Sequence, residues 1–524
     1  MRKGVYTMDK LEKAADTSAK KQNPFLRAVG FYAAGKETTV RTELIAGIVT
    51  FLAMAYILTV NPNQIFESTD SVYWASAFMA TALAAVLGTL LMAFLAKMPL
   101  AQASGMGLNS LLGGLIGGWG GYNANFTPGQ AFMLVLISGV VFLLLSLIKI
   151  KGKTFREWAF DGMPVTVRSA ISVGIGLFIA YIGFQNAGVI VANEHTQVGF
   201  VDFTNWGVQV VNFGGNEWAA AKTATVALSG LFLIAILDKL KVKGSIILGI
   251  LGATIIGIPL GVTDLSVLAG DGAITWKFWE NYGSYFSANP ETSVFGSFVS
   301  VFKDGLIPQG ISVFSVVMIV ITMCMMDMFD TMGTIVGCCS GNRVLSDENN
   351  KPRNYGKIMM SDAIATCAGA MMGTSTVTTF VESGAGVSAG GRTGLTAFTT
   401  AVLFLLSTFA LPLFAAIPGA AVASALIYVG VLMMQGNLKS LDMSNAINAT
   451  STFLTISVMV LSYSITKGIG VGMISFTVMS IIEYLISLIK YAITKKNKPE
   501  WNVSVVAIVV TILFCLYFFI PANL

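Results

Sequence analysis

From residue 43 almost to the C-terminus, the chain is a succession of long apolar stretches separated by short breaks. Each is about the 20 residues that an α-helix needs to cross the hydrocarbon core of a bilayer. Lipid offers no hydrogen bonds to the backbone, so such stretches are helices packed into one membrane domain. Composition agrees: with 55% apolar and 11% charged residues, a folded chain of 524 residues has too little polar surface to be solvated in water.

Hydropathy places seven spans at 43–60, 73–96, 104–118, 130–150, 165–191, 222–238 and 244–260, and then a soluble stretch over 261–310. The later segments are 311–329, 357–372, a short Gly/Thr-rich piece at 374–391, and 393–416, 418–435, 445–465, 469–491 and 501–521. That is one segment more than a seven-plus-seven plan holds. One late segment is therefore expected to stop short of crossing or to be shared, and whether both 469–491 and 501–521 span stays open. The polar first 42 residues carry nine Lys and Arg and no apolar signal-peptide core, which reads as a cytoplasmic tail. Basic residues also cluster at Lys149–Arg156, Lys239–Lys243 and Arg343–Lys357. The opposite loops 61–72, 119–129 and 192–221 carry none, so the N-terminus is expected inside. The net charge of +5 then follows from topology and calls for no nucleic-acid partner.

The chain also echoes itself. Ser104-Gly105-Met106-Gly107-Leu108-Asn109 and Ser383-Gly384-Ala385-Gly386-Val387-Ser388 share one pattern, and each opens a short apolar segment early in its half. Equivalent positions seven spans apart face opposite sides of the membrane, which is an inverted repeat. The expected division is a tail at 1–42, a first repeat at 43–260, an extracytoplasmic connection at 261–310 and a second repeat at 311–524. Small residues at these two places also suit plain helix packing.

A charged side chain at the centre of a membrane helix costs roughly 2.5–3.5 kcal/mol, so intramembrane acids are candidates for function. They are Asp327, Asp330, Asp362, Glu382 and Glu483, with Arg392 nearby. Asp327 and Asp330, three apart, fall in one sector of a helix, and Thr334 continues the Asp330 face. Capping of helices or pairing with Arg392 would be a structural use of the same acids. Cys324, Cys338, Cys339, Cys367 and Cys515 lack paired spacing, and the single histidine, His195, has no ligand partners in sequence. No disulfide framework, metal site, cofactor site or nucleophile–base pair is expected, which argues against an enzyme. An ion channel would want a continuous polar stripe. An anion transporter would not place two acids at its site.

At these residues the chain resembles the nucleobase:cation symporters, the xanthine/uracil permease superfamily, and within it the AzgA-like hypoxanthine, adenine and guanine permeases. The resemblance runs from about Phe31 to the C-terminus. It rests on Thr42-Glu43-Leu44-Ile45-Ala46-Gly47, on Ala53 to Pro62, on Gly105 to Asn109, on Phe329-Asp330-Thr331-Met332-Gly333-Thr334, and on Gly373 to Ser383 followed by Ala389 to Thr396. It implies an all-α polytopic membrane protein of about 14 transmembrane segments in two inverted seven-helix repeats. Spans one to four and eight to eleven would form a core domain and the rest a gate domain, with half-helices at spans three and ten preceded by short strands. Carried over residue by residue, Asp330 and Glu382 are the implied substrate-binding acids, Asn109 the polar residue of span three, and Thr334 a selectivity position. Phe380 or Phe329 would stack on the ligand, and Asp327 and Asp362 are assigned coupling or support.

The implied function is import of a purine nucleobase across the cell membrane by cation symport, with a proton ahead of sodium. Dimerisation through the gate domain stays open, and a uracil or xanthine permease of the same superfamily is the alternative. Residue chemistry fits a purine: carboxylates accept from ring N–H groups, an amide does both, and exposed N–H groups at a broken helix serve ring acceptors.

Overall fold

The computed structural model describes residues 23–34, 37–66, 71–118, 126–150, 153–154, 164–193, 197–204, 209–211, 217–242, 244–269, 274–308, 311–339, 344–346, 352–380, 382–438, 441–462, 464–495, 501 and 503–519. Residues 1–22 of the tail, His195 and the side chain of Phe329 lie outside what is described.

The first span is interrupted, with α1 (Val40–Met54) and α2 (Ile57–Phe66) meeting at a turn over Ala55 and Tyr56. After it come α3 (Trp74–Leu91), prolonged by a π-helical turn, β1 (Gln102–Ser104) leading into α4 (Met106–Gly117), and α5 (Pro128–Leu147). A capping box between Thr127 and Gln130, with Pro128 in the first turn, sets the start of α5. Then follow α6 (Val165–Asn186), α7 (Ala220–Lys239) and α8 (Ser245–Gly257).

The expected connection over 261–310 holds two helices, α9 (Phe278–Tyr285) and α10 (Val294–Asp304). Val294, Phe298 and Val301 recur at helical spacing and are buried, and α10 docks on α3 and α5. Its 11 residues give a length of about 16 Å, too short to cross. Gly129 allows the close approach, since a Cβ there would lie 2.0 Å from the Ser297 carbonyl oxygen.

The second half runs α11 (Val313–Cys339), α12 (Tyr355–Met372), β2 (Val377–Thr379), the half-helix α13 (Ser383–Ser388), α14 (Gly394–Ser407), α15 (Gly419–Asn437), α16 (Ala446–Leu461), α17 (Ile465–Thr494) and α18 (Val505–Phe519). Among the described residues seven helices are long and apolar enough to cross a membrane, and shorter apolar helices accompany them.

Packing separates the helices into two sets. In one, α14 lies on α1 and α3, α12 on α3 and α5, and α13 on α1. In the other, α6 packs along α15. Around that pair, α7 and α8 lie on α15, while α16 and α17 lie on α6, so each half supplies the partners of the other half's long helix. The last helix, α18, packs on α17.

At the centre, β1 pairs antiparallel with β2 through Gln102–Thr379, Ala103–Thr378 and Ser104–Val377. Two further bonds flank the ladder: Gly105 N–H donates to the Thr376 carbonyl (2.9 Å) and Phe380 N–H to the Ala101 carbonyl (3.0 Å). A two-fold axis between Ala103 and Thr378 exchanges them, as oppositely oriented copies of one element require. The axis pairs Gly105 with Phe380, one helical turn away from the Gly105–Gly384 correspondence of the sequence echo. The echo finds the two elements that pair here.

Candidate functional site

Glu382 sits at the N-cap of α13, buried, where β2 has ended and the half-helix begins. Its Oε1 accepts a 2.5 Å hydrogen bond from the hydroxyl of Tyr56, at the turn between α1 and α2. Its Oε2 is buried with no hydrogen-bond partner among the described residues. An unsatisfied buried acceptor costs about 1–3 kcal/mol, more for a charged group, so this oxygen is poised for a proton or a ligand donor.

Asp330, on α11, is half-buried, and α11 packs against both α13 and β2. Thr334 follows one turn later and is buried. Glu382 and Tyr56 thus meet across the chain, and Asp330 lies on the helix packed against α13 and β2. Gly386 and Gly391 let α13 lie against α1; a Cβ on Gly386 would stand 2.0 Å from Thr50 Oγ1. On the other face of α13, Ala385 and Ser388 are exposed.

The remaining expected residues are distributed unevenly around this centre. Asn109, on α4, is fully buried: its amide donates to Gln64 Oε1 (3.1 Å) and its Oδ1 accepts from the Ser375 hydroxyl. It thus ties α4 to α2 and to the segment before β2. Phe380 is buried, with its backbone N–H in the central ladder. Phe329's side chain is not described, so only its place on α11 can be given.

The other two acids face inward on the scaffold. Asp327 accepts from Thr366 Oγ1 of α12 (3.2 Å). Asp362 accepts from Gln102 Nε2 (3.0 Å) and from Thr331 Oγ1 (2.9 and 3.0 Å), joining α12, α11 and β1. Two residues three apart are separated by about 60° around a helix, so Asp327 can face α12 while Asp330 faces α13. Arg392 donates through Nη1 to the Val387 and Gly391 carbonyls, not to the site acids.

Two groups that matter here were not singled out from sequence. Glu43 is fully buried and accepts from the backbone N–H groups of Arg392, Thr393 and Thr396 and from the Thr396 hydroxyl, capping α14 from α1. Tyr56 lies within a motif already noted, but an aromatic ring in an apolar stretch reads first as packing. Its signal was the short polar break that follows, Thr59 and Asn61-Pro62, in a span that should otherwise be continuous.

Comparison with known proteins gives the following. Residues 41–471 match the family model Xan_ur_permease, described as a permease family. The putative permease MJ0326 of Methanocaldococcus jannaschii is 34% identical over 91% of this chain and 95% of its own length. The adenine permease AdeP of Escherichia coli is 34% identical over 85% of this chain and 88% of its own. The guanine/hypoxanthine permease PbuO of Bacillus subtilis is 34% identical over 94% of this chain and 100% of its own. Among solved structures, the transmembrane domain of the cyanobacterial bicarbonate transporter BicA superposes with a TM-score of 0.54 at 16% identity, over 82% of this chain and 97% of that one. Murine Slc26a9 superposes with a TM-score of 0.52 at 10% identity, over 92% of this chain and 76% of that one. These two show a shared inverted-repeat transporter fold.

Proposed function

The chain belongs to the permease family Xan_ur_permease, is a multi-pass membrane transporter and not an enzyme, and from that premise we propose that it imports purine nucleobases. The substrates of this reading are hypoxanthine, guanine and adenine, the bases for which its relatives are named. The single observation that carries it is Glu382 at the start of the half-helix α13, packed against the helix that bears Asp330, with Oε2 buried and without a hydrogen-bond partner among the described residues. Purines bring ring N–H donors to such acceptors. Charged hydrogen bonds of about 1.5–3 kcal/mol each, with backbone contacts and ring burial, reach the ~8 kcal/mol of a micromolar site. Two acids speak against an anion substrate, which would be repelled.

Import is driven by cation symport, and the cation is a proton. A carboxyl that changes its partners with occupancy can take up and release a proton without any other cofactor. The set α1–α5 with α11–α14 acts as the core carrying the substrate, and the set around α6 and α15 as the gate, with alternating access through their relative motion. The N-terminus faces the cytoplasm of a cell membrane, as the distribution of Lys and Arg supports.

Competition for uptake of radiolabelled hypoxanthine into cells lacking their own purine permeases tests this reading. Unlabelled guanine or adenine should compete, uracil and bicarbonate should not, and a proton ionophore should abolish accumulation. Competition by uracil alone would move the chain to the pyrimidine branch.

A further inference from the structure

Tyr56 contributes more than volume. It is 2% exposed, and a phenylalanine would fill the same space. Its hydroxyl crosses between the halves of the chain to Glu382 Oε1 at 2.5 Å, and lies 3.8 Å from the sulfur of Met106, the first residue of α4. The break in the first span and the starts of both half-helices thus converge on one phenolic oxygen. A carboxylate has two oxygens, and here they are used differently: Oε1 is held by Tyr56, while Oε2 is buried without a hydrogen-bond partner among the described residues.

We propose that Tyr56 is a positioning residue that sets substrate specificity: its hydroxyl fixes the Glu382 carboxylate so that Oε2 alone is offered, to a single ring N–H of the base. The inference rests on the reading of Glu382 as a substrate ligand. It has a consequence for related bases. Hypoxanthine presents one N–H at N1 on its pyrimidine-ring edge, whereas guanine presents the N1–H and the adjacent exocyclic amino group, a pair that matches both oxygens of a free carboxylate. With Oε1 occupied by Tyr56, Glu382 gives guanine little advantage from its second donor. Without the hydroxyl, the carboxylate is less well fixed but has both oxygens available.

Tyr56→Phe removes only the hydroxyl. Equilibrium binding of radiolabelled hypoxanthine and guanine to purified full-length protein should show hypoxanthine weakened roughly tenfold and guanine weakened no more than about threefold, as expected for loss of one charge-assisted hydrogen bond partly replaced by another. The ratio of the two dissociation constants is read on one preparation. Partial misfolding lowers the number of sites and leaves that ratio unchanged. Equal losses for both bases, or no loss for either, overturn the inference. Glu382→Gln separates the two readings: if it weakens both bases while Tyr56→Phe leaves them unchanged, Glu382 stands as a ligand and the role of Tyr56 fails. If Glu382→Gln binds both like the parent, the site reading itself fails.

Discussion

At the scale of single residues, the acids divide by what they touch. Asp362 joins three elements, accepting from Gln102 on β1 and Thr331 on α11. Asp362→Asn loses the charge behind these bonds and should lower stability by about 1–3 kcal/mol, read as a lower melting temperature in detergent. Its dissociation constant for hypoxanthine should stay within about twofold of the parent. Unchanged stability together with lost proton-driven accumulation would instead make Asp362 a coupling residue. Glu382 opens the half-helix α13, and its Oε2 has no hydrogen-bond partner among the described residues. Glu382→Gln should weaken purine binding by roughly ten- to a hundredfold, the equivalent of one charged hydrogen bond, in a titration of the purified protein.

At the scale of elements, the half-helices depend on close approach. A Cβ on Gly386 would stand 2.0 Å from Thr50 Oγ1 and 2.9 Å from the Ala46 carbonyl oxygen. Gly386→Ala should push α13 away from α1 and weaken hypoxanthine binding more than about tenfold, since the site depends on where α13 begins. Adding Thr50→Ala should recover part of that loss; no recovery would place the effect elsewhere. The location of these elements was legible in the sequence, because Ser and Gly clusters interrupt apolar runs at 104–107 and 383–386. Their pairing as antiparallel strands was not, since the register of Gln102–Ser104 on Val377–Thr379 joins segments far apart in the chain. Nor could spacing show that the amide of Asn109 is taken up by Gln64 and Ser375, or that the hydroxyl of Tyr56 reaches a carboxylate 326 residues away. Partners contributed by distant elements leave no local period. For the same reason the docking of α10 on α3 and α5 could not be read from its own stretch of sequence.

For the whole molecule, orientation and mechanism follow from asymmetries that no single helix contains. Lys and Arg gather on one side of the spans, so in a protein whose five cysteines are replaced by Ala or Ser, Asp202→Cys should react with impermeant thiol reagents added outside intact cells, and Arg353→Cys should not. Reversed labelling would invert the topology. Mutual exchange of packing partners between α6 and α15 makes their set one body, placed against the body that carries Asp330 and Glu382.

The account stands or falls on whether this site moves a purine against its gradient with a proton, and uptake of radiolabelled hypoxanthine into proteoliposomes under an imposed inward proton gradient measures that directly. The parent protein should concentrate hypoxanthine above its external level. Asp330→Asn should still exchange it down a gradient yet fail to accumulate it, and Glu382→Gln should show mainly reduced affinity. Uptake no greater than in protein-free liposomes, or both variants behaving like the parent, would contradict the account.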